Sequence, residues 1–270
     1  MANPARARYI PGMTRMIRLD GVGNLRDFGG YATACGRGLR AGRFYRSGHH
    51  AMATDADLAT LAQLGITVVV DLRRADERER QPNRQWSGYA AEVITSDLSD
   101  FDRGWEALLP GRDPTPEFFD DLMRNWYQRA PFVPRMTSLF SRYFEAVAQT
   151  DGAVLIHCAA GKDRTGLLAA LTHHLAGVRR EDLVEDYLLT NSAPSQAEMA
   201  PRIARLIETL TGKTPSDEAV RVAMGVRPDY LETALAAIDQ RYGSLDAYLE
   251  TALGVDANRR QAFERQHLVG

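Results

Sequence analysis

Apolar positions along this chain fall into two kinds of run. Ile66 to Val70 and Ala153 to Ile156 are short, unbroken and aliphatic, with Gly65 before the first and Asp151–Gly152 before the second. Such runs predict central parallel strands covered on both faces. Alternation around Phe44, and the stretch Ala90 to Thr95, add two further strands. Elsewhere the apolar residues recur at helical spacing. Thr54 or Asp55 caps a helix running to about Leu64, with Leu58, Leu61 and Leu64 on its buried face. Thr115–Pro116 starts another, and Pro131 and Pro134 divide it from the next. Arg164 to Ala176 follows, stopped by Gly177; six more helices then occupy Glu181–Asn191, Gln196–Leu210, Ser216–Met224, Asp229–Tyr242, Leu245–Ala252 and Ala257–Gln266. Ala75 to Arg84 is charge-rich and reads as a solvated helix or loop, and residues 1 to about 15 as a loose arm. The pattern predicts an α/β fold: a central, mostly parallel sheet flanked by helices, with a helical C-terminal part. Without a linker or an internal repeat, residues 1–270 read as a single domain.

Composition narrows the partners. A net charge of −2 gives no reason to expect nucleic acid or a general affinity for acidic membranes. No stretch approaches the ~18 apolar residues needed to span a bilayer. The N-terminal arginines lack an apolar run beside them, so no Sec signal is read and a cytoplasmic location is the default expectation. The two cysteines, Cys35 and Cys158, form neither a disulfide framework nor a zinc spacing, which fits a reducing compartment. Cys35 reads as a loop cysteine; a protective disulfide with Cys158 under oxidation is the alternative. His49 and His50 have no third metal ligand at local spacing and read as loop residues, leaving no metal site.

The chemistry is concentrated between Val154 and Gly166. The strand ends at His157–Cys158, a loop of five residues follows (Ala159, Ala160, Gly161, Lys162, Asp163), and Arg164–Thr165–Gly166 opens the helix. A loop curling at a helix N-terminus turns several backbone N–H groups into one concavity and favours an anion with equivalent oxygens. Arg164 adds a planar two-pronged donor to the same anion. Such electropositive surroundings hold a cysteine as thiolate, which places Cys158 for in-line attack on a bound phosphate. Thr165 is suited to stabilise that thiolate as it leaves, and His157 to order the loop. Asp71 closes the neighbouring strand on the same side of the sheet. It is placed either to orient Arg164 or to cap the next helix. Thiolate attack and hydrolysis of a cysteinyl phosphate need no metal or organic cofactor.

His157-Cys158 to Arg164-Thr165-Gly166 resembles the signature of the cysteine-dependent protein-tyrosine phosphatase superfamily. The unit Asn24-Leu25-Arg26-Asp27-Phe28-Gly29-Gly30, paired with Gly42-Arg43-Phe44-Tyr45-Arg46-Ser47, is similar to its bacterial branch of atypical tyrosine, dual-specificity and lipid phosphatases. Tyr230-Leu231, Tyr242 to Leu245, Tyr248-Leu249 and Leu253-Gly254 extend the likeness, which runs from about Val22 to Gly254. The resemblance implies a phosphatase-type loop between strand and helix, a phosphorylated protein or phosphoinositide as substrate, and contact with a membrane surface only through a lipid substrate. It implies that residues 101–149 are a helical insertion, of which Pro116 to Ala130 helps to cover the pocket. It leaves room for release from the cell by a route without a cleaved signal.

Within that resemblance Lys162 stands where inositol-lipid phosphatases carry lysine, suited to further phosphates on a headgroup. Asp163 is the leading general acid; to act it must be neutral with substrate bound, which a phosphate dianion favours and Lys162 and Arg164 oppose. Asp97, Asp100 and Asp102 are loop alternatives for that proton, and a bracing role for Asp163 stays open. Arg26, Arg46 and Ser47 either extend the anion site or pair with Asp27 or nearby carboxylates. Two other classes share parts of the pattern: a rhodanese-like sulfurtransferase, with its own cysteine in an anion loop, and a non-catalytic phosphate-binding module.

Overall fold

The sheet is ordered by which strands carry the aliphatic runs. In this computed structural model, which describes residues 15–98 and 104–270, strands β1 (Arg26–Asp27), β2 (Gly38–Leu39) and β3 (Phe44–Ser47) precede helix α1 (Asp55–Ala62). Then come β4 (Ile66–Asp71), α2 (Ala75–Arg80), β5 (Glu92–Ile94), α3 (Trp105–Leu108), α4 (Pro116–Arg129) and α5 (Pro134–Gln149). The strand β6 (Ala153–His157) leads into α6 (Asp163–Ala176) and α7 (Arg180–Leu188). The rest is α8 (Ser195–Thr211), α9 (Asp217–Met224), α10 (Pro228–Tyr242), α11 (Leu245–Thr251), α12 (Ala257–His267) and β7 (Leu268–Val269). The five-stranded sheet has the order β1-β3-β6-β4-β5, with β3, β6, β4 and β5 parallel and β1 antiparallel at the edge. The two most aliphatic strands are therefore neighbours at its centre, as the hydrophobic runs predict.

Period-two alternation puts successive residues of each strand on opposite faces, and both faces are buried. Val68, Val70, Val154 and Ile156 join Phe44 on one face, under α5, α6 and the C-terminal helices. Val69, Leu155 and Tyr45 point the other way, into a smaller core with Leu58 and Leu61 of α1 and with Trp86. A third cluster lies apart from the sheet, where Phe119 of α4 meets Ile207 of α8 and Ala219, Val220 and Ala223 of α9.

Local chemistry ends the elements where the residues dictate. The Thr54 side chain accepts from the Asp57 N–H and Asp57 returns a bond to the Thr54 N–H, a reciprocal cap for α1. Thr115 caps α4 ahead of Pro116, and α6 stops at Gly177, whose φ of 76° a side chain would resist. The predicted strand Ala90–Thr95 is shorter, three residues at the sheet edge. The pattern predicts helix to the end of the chain, but Leu268–Val269 leaves α12 to pair with Gly38–Leu39, a contact across most of the sequence that local pattern does not announce.

The segment read as an insertion divides into two different structures. Met136, Leu139, Phe140, Tyr143, Phe144 and Val147 make α5 a core helix against the sheet. Helix α4 lies against α9 and α10 and sends Tyr127 inward toward the loop after β6. Among the described residues no helix is long and apolar enough to cross a membrane.

Candidate active site

Register brings the site together. In the sheet His157 stands opposite Asp71 on one side and Ser47 on the other, so three parallel strands end at one level. Cys158 follows immediately and is 3% exposed. The turn beyond it depends on Gly161, at φ 68°, where an added Cβ would sit 2.3 Å from the Ser47 carbonyl. No side chain fits there.

Three carbonyls of this loop, those of Ala159, Gly161 and Lys162, are held by groups from other elements. The His49 N–H donates to the Ala159 carbonyl at 3.1 Å, and Asn24 Nδ2 to that of Gly161 at 2.8 Å. Arg46 Nη2 donates to the Gly161 and Lys162 carbonyls at 3.1 and 3.3 Å, and the Gly166 N–H also reaches the latter. In a trans peptide the C=O and N–H point in opposite directions. The N–H groups of Ala160, Lys162 and Asp163 therefore point away from these anchors, into the concave side of the loop. Arg164 and the buried Thr165 open the helix that follows, and Thr165 Oγ1 has no hydrogen-bond partner among the described residues. The result is an anion cradle with a thiol at its base.

Arg164 does not pair with Asp71. Its Nη1 and Nη2 donate to Glu77 Oε2 and Oε1 at 2.6 and 2.8 Å, and Nη1 to the Leu72 carbonyl at 3.3 Å. Burial opposes ionisation of Glu77, but the Arg164 charge and its bonds outweigh it and hold the carboxyl near about 2. Asp71 is claimed locally instead: Arg73 Nε and Nη2 donate to Oδ1 and Oδ2 at 2.9 and 2.7 Å. Burial works against that carboxylate too. The Arg73 guanidinium, bonded to both oxygens, nevertheless keeps it well below the usual range.

Behind Cys158 lies a buried polar cluster. His157 Nε2 is 3.7 Å from Asp71 Oδ2 and 3.1 Å from Asn83 Nδ2. The ring of His50 packs on that of His157 at 4.7 Å, with Ser47 Oγ 3.1 Å from His50 Nε2. Burial first, then neighbouring positive charge, lowers both imidazoles. His50 is therefore part of the support for the strand end. Local pattern around His50 shows only a polar loop.

Arg26 and Arg46 lie wholly inside the protein and do not extend the anion site. They share Asp186 of α7, Arg26 Nε at 3.1 Å and Arg46 Nη1 at 2.7 Å. Pairing with a carboxylate was one of the two expectations; the carboxylate is Asp186, while Asp27 accepts from the Gly29 and Gly42 N–H groups.

Lys162 turns away from the cradle. Its Nζ donates to the Ala223 and Gly225 carbonyls, at 3.0 and 3.1 Å, at the end of α9, and is 3.4 Å from Asp163 Oδ2. Asp163 Oδ1 accepts from the Tyr127 hydroxyl at 2.9 Å, and that hydroxyl is 2.7 Å from the one on Tyr187. Tyr127, Glu77, Asp186 and α9 are the partners that sequence reasoning missed. Of the loop aspartates, Asp97 is 80% exposed and paired with Arg78, whereas Asp100 and Asp102 lie outside the described residues. Cys35 is exposed and has its own neighbours, Thr33 and Arg37; hydrogen bonds from these lower its thiol to about 7.

Comparison with known proteins identifies the family. A sequence profile for the tyrosine phosphatase family matches residues 17–269. A Cupriavidus necator protein provisionally named as a tyrosine-protein phosphatase is 34% identical, over 89% of this chain and 85% of its own. The triple specificity protein phosphatase PtpB of Mycobacterium tuberculosis is 33% identical, over 87% and 92%. The solved structure of P. aeruginosa TpbA is 19% identical over 77% of this chain and 97% of its own, with a TM-score of 0.30. A rhodanese-like reading does not survive a family match over nearly the whole chain, and the chain belongs to the tyrosine phosphatase family.

Proposed function

We propose that this phosphatase hydrolyses phosphotyrosine in proteins through a cysteinyl phosphate on Cys158. The observation that carries the reading is the loop itself, with every anchored carbonyl outside and the paired N–H groups inside, above a buried cysteine. The Ala160, Lys162 and Asp163 amides and the Arg164 fork take the phosphoryl oxygens and the charge that builds on them. The Cys158 thiolate attacks phosphorus, the P–O bond to the substrate breaks, and the leaving phenoxide takes a proton from Asp163. Asp163, now a carboxylate, accepts a proton from water as that water attacks the phosphoryl group. The S–P bond breaks, Thr165 Oγ1 hydrogen-bonds the departing thiolate, and inorganic phosphate leaves.

A phenol leaves more readily than an alcohol and asks less of the acid, so phosphotyrosine is the favoured substrate. Phosphoserine, phosphothreonine and phosphoinositides form a secondary range, consistent with the triple specificity that names the M. tuberculosis relative. The lysine that would favour a polyphosphorylated headgroup is occupied by α9 carbonyls, which argues for the narrower preference. The test is phosphate release from a phosphotyrosine peptide, a phosphothreonine peptide and a phosphoinositide panel, with the native chain and Cys158→Ser. Turnover led by phosphotyrosine and lost in Cys158→Ser is expected. Turnover that survives the substitution contradicts the mechanism.

A further inference from the structure

Two buried guanidiniums share one carboxylate directly behind the phosphate-facing loop. Arg26 and Arg46 are both 0% exposed and Asp186 is 1% exposed. Burial, then repulsion by Arg46, lowers Arg26 only to about 10, so both arginines keep their charge at neutral pH. Asp186, despite burial, is held well below the ordinary carboxylate range by the two guanidiniums. The cluster therefore carries one unit of surplus positive charge in a dry interior, where screening is weak.

That charge has two hydrogen-bonded routes to the loop. Arg46 Nη2 donates to the Gly161 and Lys162 carbonyls, and the same two peptides present the Lys162 and Asp163 N–H groups to the cradle. Arg26 Nη1 donates to Asn24 Oδ1, and Asn24 Nδ2 donates onward to the Gly161 carbonyl at 2.8 Å. A donor on a carbonyl polarises its whole peptide, which strengthens the N–H at the other end; chains of such bonds reinforce one another by about 10–30% each.

We propose that the Arg26–Arg46–Asp186 cluster is a positioning device for the reaction, whose surplus positive charge passes through Asn24 and the Gly161 and Lys162 peptides to the N–H groups that hold thiolate and phosphate. It rests on the reading of Cys158 as a thiolate nucleophile. The titratable groups facing the cluster do not blur it. His173 of α6 and the Tyr31 and Tyr187 hydroxyls are all pushed by burial toward their neutral forms; Asp27 of β1, raised by burial, is bound by two backbone N–H groups and faces the opposing charge of Arg15. On the cradle side His157, Lys162, Asp163, Arg164, Glu77 and Asp71 stay the same in every variant below.

The sign of the charge gives the test. In a Cys35→Ser background, which removes the exposed competing thiol, the pH midpoint of Cys158 alkylation by iodoacetamide is measured for the full chain and for Arg46→Met, Arg46→Lys and Asp186→Asn. Inhibition by inorganic phosphate is measured alongside. Arg46→Met should move the midpoint up by roughly half a pH unit or more and weaken phosphate inhibition by roughly threefold or more. Asp186→Asn raises the net charge and should move the midpoint down. Arg46→Lys, which keeps the charge but not the fork, should fall between the parent and Arg46→Met. Asp186→Asn decides alone if Arg46→Met does not fold: an unchanged or raised midpoint overturns the proposal, as does an equal upward shift in both variants. Phosphate protection of Cys158 in the parent checks the underlying nucleophile reading separately; if the parent shows none, that reading fails together with the relay.

Discussion

The loop has two sides built from similar groups to opposite ends. Behind it, Arg26, Arg46 and Asp186 are at most 1% exposed and locked to one another and to loop carbonyls. In front, the side chains of Arg164, Lys162, Asp163 and Glu77 are 11%, 11%, 19% and 14% exposed. Arg164 holds a carboxylate that a phosphate oxygen can replace and Asp163 a tyrosine hydroxyl that a water can replace, while Lys162 is held by helix-end carbonyls away from the cradle. The difference teaches that fixed charge and exchangeable charge are kept apart. Fully buried pairing secures loop shape, and pairing that is slightly open to solvent keeps the Arg164 fork aimed without committing it.

Substitutions should separate the two sides. Asp186→Ala leaves two buried guanidiniums facing each other and should cost about 3–5 kcal/mol, read from urea denaturation. A loss under about 1 kcal/mol would mean that the back is no more fixed than the front. Arg164→Lys should lower kcat/KM for a phosphotyrosine peptide by about 10²–10³-fold, since an ammonium cannot reproduce the planar fork, while stability changes little. Equal damage to stability would erase the distinction.

Acid titration probes the front more gently. Glu77 is depressed from 4.5 to about 2 in the folded protein, so its contribution is complete above about pH 4.5 and fades as pH falls toward about 2. Glu77→Gln should flatten the urea midpoint across that window and lower it at neutral pH. An unchanged profile would show that the pair with Arg164 is not maintained in solution. The smallest effect is expected for Lys162→Met. It removes two charge-assisted bonds to the end of α9, about 1–2 kcal/mol after solvent competition, and should leave phosphotyrosine turnover within roughly threefold. Selective loss of phosphoinositide turnover with stability unchanged would instead put Lys162 on the substrate.

What could be read from sequence follows range. The central strands came from the β-branched run Ile66–Val70 and the aliphatic run before Cys158, and the cradle from a motif contained within Val154–Gly166. Those signals are local and chemical. The partners are not: Asp186 lies 140 residues from Arg46, and Glu77 lies 87 residues before Arg164. Glu77 sits in a charge-rich helix that looks like any solvated face, and its burial arises only when that helix docks beside the loop. Asp71 misled for a related reason. It stands at the right strand end, but Arg73, two residues on, captures both its oxygens before Arg164 can. Lys162 looked like a substrate contact because nothing local shows that α9 ends against it.

The central claim is that phosphate passes through Cys158. Rapid acid quench of the full chain during turnover of an aryl phosphate, followed by peptide mass spectrometry, tests it directly. The account predicts one phosphoryl group on the peptide containing Cys158, absent in Cys158→Ser. Turnover with the phosphoryl group on another side chain, or with none trapped while Cys158→Ser remains active, would contradict it.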